Sequence, residues 1–288
     1  MKPAPFEYLR PESLDETLAL LRDHGDEAKV LAGGQSLVPV LNMRLVRPSV
    51  VVDLNSVPGL DRIEEANGDV RVGALVRQRA LEEAELTPRR LPLVAEALPH
   101  VGHFVTRNRG TVGGSIAHAD AAAELPLCLI VLGGAVVAQS AEGTRELRAR
   151  EFFVTHFTTA LAPGELVVET VWPALGRGWG VAFEELSQRR GDFGLSIAAA
   201  ALHVDDGRVA EARVGIGTVV ERPTLLETEL AGEAVTEDVA REAAARAAAA
   251  LDVFGSLHAS PAYQRRLTAV LVERAILRAW RNALEGPA

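Results

Sequence analysis

The 288-residue chain is poor in cysteine, in aromatic residues and in positive charge, and each shortage removes a class of function. Cys128 is the only cysteine, which excludes an internal disulfide, a cysteine-held iron–sulfur cluster and a cysteine-rich zinc site within this chain. Its setting, Leu127-Cys128-Leu129-Ile130, is apolar on both sides and marks a core thiol rather than a reactive one. Aromatics are 5% of the residues against 48% for hydrophobic residues as a whole, so Ala, Val and Leu must fill the core. A net charge of -9 without any basic block argues against nucleic-acid and anionic-membrane partners. No apolar run is long enough to cross a bilayer, which takes roughly 20 residues. The longest, Leu125 to Ala138, contains Gly133 and Gly134 and reads as buried core, so no membrane insertion is expected. Met1 to Arg10 lacks the basic-then-apolar pattern of a secretory signal, and the expected location is the cytoplasm. The common nucleotide and zinc fingerprints are missing too: the chain has no G-x-G-x-x-G, no Gly-Lys-Ser/Thr ending and no H-E-x-x-H.

What is present is organised. The length allows two domains, or one with a smaller appendage. Ser13 to Gly25 reads as a helix: Ser13 and Glu16 have capping-box spacing, Leu14, Leu18 and Leu21 share a face, and Gly25 can end it. Ala28 to Ala32 reads as a buried strand running into Gly33-Gly34, a short helix can start at Ser36, and Ser49 to Leu54 reads as a second buried strand. With Phe6 to Leu9 as a first strand, the opening resembles a βαβ unit. From Leu60 to Pro173 the pattern is α+β, with strands at Asp69–Gly73 and Glu165–Glu169 and helices near Arg79–Glu85 and Leu91–Leu98. Beyond Gly176-Arg177-Gly178, strands are expected at Gly194–Val204 and Ala210–Gly217, then helices over Glu237–Leu251 and Ala262–Leu284.

Two glycine-rich turns carry the chemical signal: Ala32-Gly33-Gly34-Gln35-Ser36 and Gly110-Thr111-Val112-Gly113-Gly114-Ser115. Adjacent glycines let backbone N–H groups approach a ligand closely, and neighbouring hydroxyls add donors, a combination suited to phosphate oxygens. Either turn alone is compatible with a plain tight turn; together they offer two faces to a diphosphate without a lysine. Arg107 and Arg109 flank the second turn, and either a phosphate contact or a salt bridge is open to them. His118 has no His/Cys companions at metal-ligand spacing; following the second glycine motif it can touch a bound cofactor, but it reads rather as a hydrogen-bonded histidine that is structural or supports a cofactor contact.

Four stretches resemble a known family, the medium, FAD-binding subunits of carbon monoxide dehydrogenase and related molybdenum hydroxylases, with the flavin domain of xanthine dehydrogenase more distant. They are Leu31-Ala-Gly-Gly-Gln-Ser-Leu37, Arg107 to Asp120, Glu124-Leu-Pro126 and Arg189-Arg-Gly-Asp-Phe193, joined by a Met-Lys-Pro opening. The resemblance implies an α+β fold: a two-subdomain FAD-binding domain of the vanillyl-alcohol-oxidase/PCMH type over residues 1–175, then a small α+β domain over 176–288. The first is divided into a βαβ subdomain (1–55) and an α+β subdomain (56–175); the second is an antiparallel sheet plus helices of the CO dehydrogenase flavoprotein type. It implies that Leu31, Ala32, Gly33, Gly34, Gln35, Ser36 and Leu37 hold FAD together with Gly110, Thr111, Gly113, Gly114 and Ser115. Glu124 matches an acidic position that helps hold the cofactor, and Val167 an apolar position against the flavin region.

Two departures accompany it, and one aromatic position is kept. Ala121 stands where relatives commonly have proline, which loosens the local backbone. Glu184-Glu185 stands where many relatives place a lysine near the flavin; a carboxylate beside N1 destabilises a reduced, anionic flavin, so either the redox balance differs or these side chains point away. Phe193 holds a position that is tyrosine in some relatives, and a ring near the flavin or a plain core phenylalanine are both open. The resemblance further implies that a large subunit hydroxylates substrate at a molybdenum cofactor. A small subunit with 2Fe-2S clusters then relays electrons to the FAD of this chain, in a dimer of heterotrimers. The single cysteine agrees with clusters held elsewhere. The chain alone is then expected to bind FAD and oxidise no substrate. A free-standing flavin oxidoreductase and a non-redox nucleotide-binding protein are the alternatives. Carbon monoxide, an N-heterocycle or an aldehyde are all open as substrate, and a quinone or carrier protein is favoured over NAD as acceptor.

Overall fold

The structure, a computed structural model, describes residues 1–286. Its first helix, α1 (Leu14–His24), starts where the sequence says it must: Ser13 Oγ accepts from Glu16 N at 3.2 Å, and Asp15 and Glu16 occupy the first turn. The reciprocal half of the capping box differs, since Glu16 Oε2 accepts from Glu12 N (2.9 Å) and not from Ser13. Arg22 and His24 lie in the last turn, and Gly25, at φ +51°, ends the helix. Ser13→Ala is expected to cost about 1 kcal/mol, read as a fall of about 2–4 °C in the melting temperature.

Strands β1 (Glu7–Leu9), β2 (Ala28–Leu31) and β3 (Val50–Asp53) form a parallel sheet in the order β1-β3-β2, with helix α2 (Leu37–Asn42) in the β2-to-β3 crossover. The expected βαβ unit is therefore present. Buried β3 is central, but β2 is an edge strand, so Lys29 is exposed and Val30 and Leu31 are only half-buried, contrary to a wholly buried reading.

A second, antiparallel sheet has the order β4-β5-β10-β6-β7, from β4 (Ile63–Ala66), β5 (Asp69–Gly73), β6 (Ala135–Ser140), β7 (Gly143–Arg148) and β10 (Leu166–Pro173). β10 extends four residues past the expected Glu169, because Thr170 and Trp172 are fully buried between its neighbours and Trp172 Nε1 donates to Thr170 Oγ1 at 2.8 Å. Between β5 and β6 lie α3 (Gln78–Glu83), α4 (Leu86–Arg90), α5 (Pro92–Ala97), α6 (Phe104–Arg107), α7 (Val112–His118) and α8 (Glu124–Leu132). The apolar run Leu125–Ala138 divides into α8, all of whose residues are buried, and β6, with Gly133 at φ +72° making the turn. Helix α9 (Ala149–Phe152) precedes the short hairpin β8 (Phe153–Thr155) and β9 (Thr158–Thr159).

The last sheet, β11 (Trp179–Ser187), β12 (Gly194–Asp205), β13 (Arg208–Gly217) and β14 (Thr224–Leu226), is antiparallel in that order and is backed by α10 (Glu237–Ala249) and α11 (Pro261–Glu285). Its period-two alternation splits two cores: Val181, Phe183, Ile197 and Ala199 pack with α8, whereas Ala182, Ala198 and Ala200 pack with Ala275, Ile276 and Ala279 of α11. Small residues on the helix-facing side hide β11 in the sequence. A Cβ at Gly180 would lie 2.1 Å from Ala279 O, so α11 rests directly on that backbone. The whole is α+β: a small parallel subdomain, a five-stranded antiparallel one, and an antiparallel sheet with helices. Among the described residues no helix is long and apolar enough to cross a membrane.

Candidate functional site

The two glycine motifs, 76 residues apart in the chain when counted from Gly34 to Gly110, meet at the carboxyl ends of β2 and β3. A Cβ on Gly33 would stand 2.4 Å from Arg109 O, 2.8 Å from Gly110 Cα and 3.0 Å from Thr111 N. Only glycine allows that backbone-on-backbone contact. Gly34, at φ +72°, then turns the chain into α2. Beneath lies a cavity of about 350 Å³ lined by Leu31 to Gln35, by Val38 and Pro39, by Asp53 and Asn55, and by Arg109 from the second loop.

The two loops use their N–H groups differently. Those of Gly33, Gly34, Gln35, Ser36 and Leu37 donate to no protein acceptor among the described residues. In the second loop most N–H groups are engaged within the protein. Thr111 caps α7, with Oγ1 accepting from Gly114 N at 3.1 Å, and Val112 N and Gly113 N donate to Val76 O (2.9 Å) and Ala74 O (3.1 Å). Ser115 N donates to Thr111 O at 3.1 Å. Its glycines serve packing: a Cβ on Gly110 would meet Gln78 Oε1, and one on Gly113 the Ala74 Cα, each at 2.5 Å. Free donors therefore come mainly from the first loop, and the second contributes its shape, its hydroxyls and Arg109.

Under the first loop runs a polar chain that was not singled out in the sequence. Tyr8 Oη donates to Asp53 Oδ2, Asn55 N donates to Asp53 Oδ1 (2.9 Å), and Asn55 Nδ2 donates to Ala32 O (2.9 Å). Burial pushes the Asp53 carboxyl up, but the hydrogen bonds from Tyr8 and Asn55 outweigh it and hold Asp53 below the usual carboxylate range. The same hydrogen bond, with burial second, raises the Tyr8 hydroxyl. A signal was available: Asp53-Leu54-Asn55 closes the central strand of a parallel sheet, and ligands of such sheets bind outside the carboxyl ends of the strands. Of the flanking arginines, Arg107 is buried and paired with Glu82 (2.8 Å), while Arg109 reaches the cavity and has no carboxylate partner among the described residues.

Glu124 and Val167 are not cavity-lining. Glu124 opens α8, 5% exposed, and burial first, then Glu185, pushes its carboxyl up to about 8. Val167, in β10, is packed in the core shared with α8. Glu184 does point away, into an ion pair with Arg278 of α11. The Glu185 side chain is 3% exposed; burial raises it to about 7, His100 Nδ1 lies 3.7 Å from Oε2, and that oxygen has no hydrogen-bond partner. Phe193 is 66% exposed, so it is not a core phenylalanine. His118 packs its ring on Phe157, centroids 4.8 Å apart, and burial lowers its pKa.

The sequence matches the family model of the FAD binding domain in molybdopterin dehydrogenase over residues 4–175, and that of the CO dehydrogenase flavoprotein C-terminal domain over 181–279. The chain belongs to this flavoprotein family. It is 41% identical to the 6-hydroxypseudooxynicotine dehydrogenase complex subunit alpha of Paenarthrobacter nicotinovorans, over 98% of this chain and 97% of that one. Among solved structures it is similar to quinoline 2-oxidoreductase from Pseudomonas putida 86, with a TM-score of 0.94, 37% identity, and coverage of 99% and 100%. It is likewise similar to carbon monoxide dehydrogenase from Hydrogenophaga pseudoflava, with a TM-score of 0.95, 33% identity, and coverage of 98% and 99%. Members of the family are FAD-carrying medium subunits of molybdenum hydroxylases, and the chain is an oxidoreductase flavoprotein of that type. The cavity fits the cofactor: Gly33, Gly34 and Gln35, whose N–H groups are free, and Arg109, whose guanidinium is uncompensated, line a space that a diphosphate can fill.

Proposed function

We propose that this chain is the electron-relaying FAD subunit of a heterotrimeric molybdenum hydroxylase whose substrate is an N-heteroaromatic ring. The observation that carries the first half is the pair of back-to-back glycine loops, with Gly33, Gly34 and Gln35, whose N–H groups are free, and the unpaired Arg109 on one cavity. In this reading Leu31 to Leu37 bind the diphosphate by backbone donation. Gly110, Thr111, Gly113, Gly114 and Ser115 form the opposing wall, and Arg109 neutralises phosphate charge. Asp53, ionised and already holding Tyr8 and Asn55, repels phosphate and suits a sugar hydroxyl, so it orients the cofactor along the cavity. Glu124 and Val167 shape the region deeper in the fold. When bound, FAD would supply one- and two-electron redox chemistry; the chain's own residues bind, orient and shield it.

A molybdenum-bearing large subunit and a 2Fe-2S small subunit complete the complex, assembled as a dimer of heterotrimers. One cysteine, buried and hydrogen-bonded to Leu93 O, supplies no cluster ligation of its own. The ring class of the substrate is supported by the pyridine-derived and quinoline substrates named for two of the three relatives described above. Purified with its co-expressed partners, the chain is expected to carry one FAD per copy and to support oxidation of an N-heteroaromatic compound. Purified alone it is expected to keep FAD and oxidise none. Substrate turnover by the partner-free flavoprotein would favour a free-standing oxidoreductase, and a colourless protein would remove the flavin assignment altogether.

A further inference from the structure

Arg77 lies in neither glycine motif, yet it touches the supports of both. Its Nη2 donates to Asn55 Oδ1 at 2.6 Å and its Nη1 donates to Arg109 O. The first acceptor belongs to the side chain that holds the first loop, since Asn55 Nδ2 donates to Ala32 O at 2.9 Å. The second is the carbonyl against which Gly33 packs, where a Cβ would come within 2.4 Å. One planar guanidinium therefore spans the seam between the loops. Its own backbone is fixed to the second loop by an isolated antiparallel bridge between Arg77 and Thr111, with Gln78 N donating to Gly110 O (2.9 Å) and Val112 N to Val76 O (2.9 Å). Arg77 makes no salt bridge among the described residues, and its guanidinium lies within the influence of the Arg109 and Asp53 charges, both of which line the cavity. Burial first, and the Arg109 charge second, push the Arg77 pKa down against an opposing pull from Asp53.

We propose that Arg77 is a positioning residue: it clamps the Asn55-held first loop to the Arg109 carbonyl, and so sets the loop spacing that grips the FAD diphosphate. The fork geometry is what the task needs, because one rigid group serves two acceptors on two segments at once. The proposal rests on the cavity being the diphosphate site.

The test uses the full-length flavoprotein and follows FAD release by the rise in flavin fluorescence. Arg77→Gln is expected to raise the FAD Kd about 10- to 100-fold, the equivalent of losing one charge-assisted bond. Asn55→Ala removes the same clamp from its other end. If the clamp is one unit, the double variant loses no more than the weaker-binding single variant. ADP and adenosine, as competitors for the flavin-free site, separate positioning from general damage: ADP, with its diphosphate, weakens in step with FAD, and adenosine does not. Additive losses, an unchanged FAD Kd in Arg77→Gln, or equal weakening of ADP and adenosine each overturn the proposal. Should Arg77→Gln fail to fold, Asn55→Ala with the same competitors decides it. A wild-type protein without affinity for FAD or ADP defeats the diphosphate reading itself, an outcome distinct from failure of the clamp.

Discussion

Gly33→Val is expected to yield a folded protein that no longer retains FAD, with affinity reduced by at least about 100-fold, or about 2.7 kcal/mol. Everything the new side chain meets is backbone: Arg109 O at 2.4 Å, Gly110 Cα at 2.8 Å and Thr111 N at 3.0 Å from the first added carbon. A flexible side chain could swing aside, but these atoms move only if the second loop moves. Overpacking of this kind costs about 1–3 kcal/mol of stability. The larger loss falls on the cofactor, because the free N–H groups of Gly33, Gly34 and Gln35 and the Arg109 guanidinium no longer share one cavity. Gly34→Ala makes the comparison. Its φ of +72° imposes about 1–2 kcal/mol on a residue with a Cβ, while its nearest contacts are the Leu31 and Val38 side chains, which can yield. It should therefore weaken FAD less than Gly33→Val. The absorbance ratio of flavin to protein after purification reads both, and stoichiometric FAD in Gly33→Val would show that contact between the loops is not what builds the site.

This contrast also marks what the residues reveal without coordinates. The pair Gly33-Gly34 and the group Gly110 to Ser115 stand out because glycine beside hydroxyls is a local signature, and the α1 cap and the β3 strand are local too. Which glycine admits a ligand and which admits another strand of backbone is not local. Gly113 is required by Ala74 and Gly33 by Arg109, partners 39 and 76 positions away, so the second motif reads like a phosphate turn while most of its N–H groups are already spent. The polar chain Tyr8–Asp53–Asn55–Arg77 is not local either: its members come from three segments and acquire meaning only at the ends of β2 and β3. The strand β11 was hidden because Gly180 and Ala182 are small where they face α11, which breaks the apolar alternation that marks a strand. Glu185 illustrates the limit most clearly. Its neighbour Glu184 finds Arg278, whereas Glu185, one residue on and so on the opposite face of the strand, turns into the interior toward α8.

That inward turn leads to the second large expected effect, on pH dependence. Glu124 and Glu185 are buried carboxyls pushed up to about 8 and about 7, in each case chiefly by burial, with Glu185 adding to the rise at Glu124. A carboxyl whose pKa is raised by folding is held protonated in the native state and is ionised in the unfolded one. Between the ordinary value of 4.5 and the folded value of about 8, the native protein thus binds more protons than the unfolded chain, and stability falls as pH rises through that window. For Glu124 the full loss is about 5 kcal/mol, reached above pH 8 and absent below the ordinary carboxylate range. Glu124→Gln keeps the shape and removes the ionisation. It is therefore expected to leave stability near pH 5 almost unchanged and to raise it by several kcal/mol at pH 9, a difference that urea titrations of the holoprotein at the two pH values would resolve. Glu185, raised by its own burial, contributes to the slope that remains in Glu124→Gln, and Glu124→Gln/Glu185→Gln should flatten it further. A Glu124→Gln variant with the wild-type slope from pH 5 to 9 would mean that the carboxylate at α8 is solvated or paired on ionisation. The interior between α8 and β11 would then be open to water, and the low-dielectric seam joining the FAD-binding part of the chain to its last sheet would have to be redrawn.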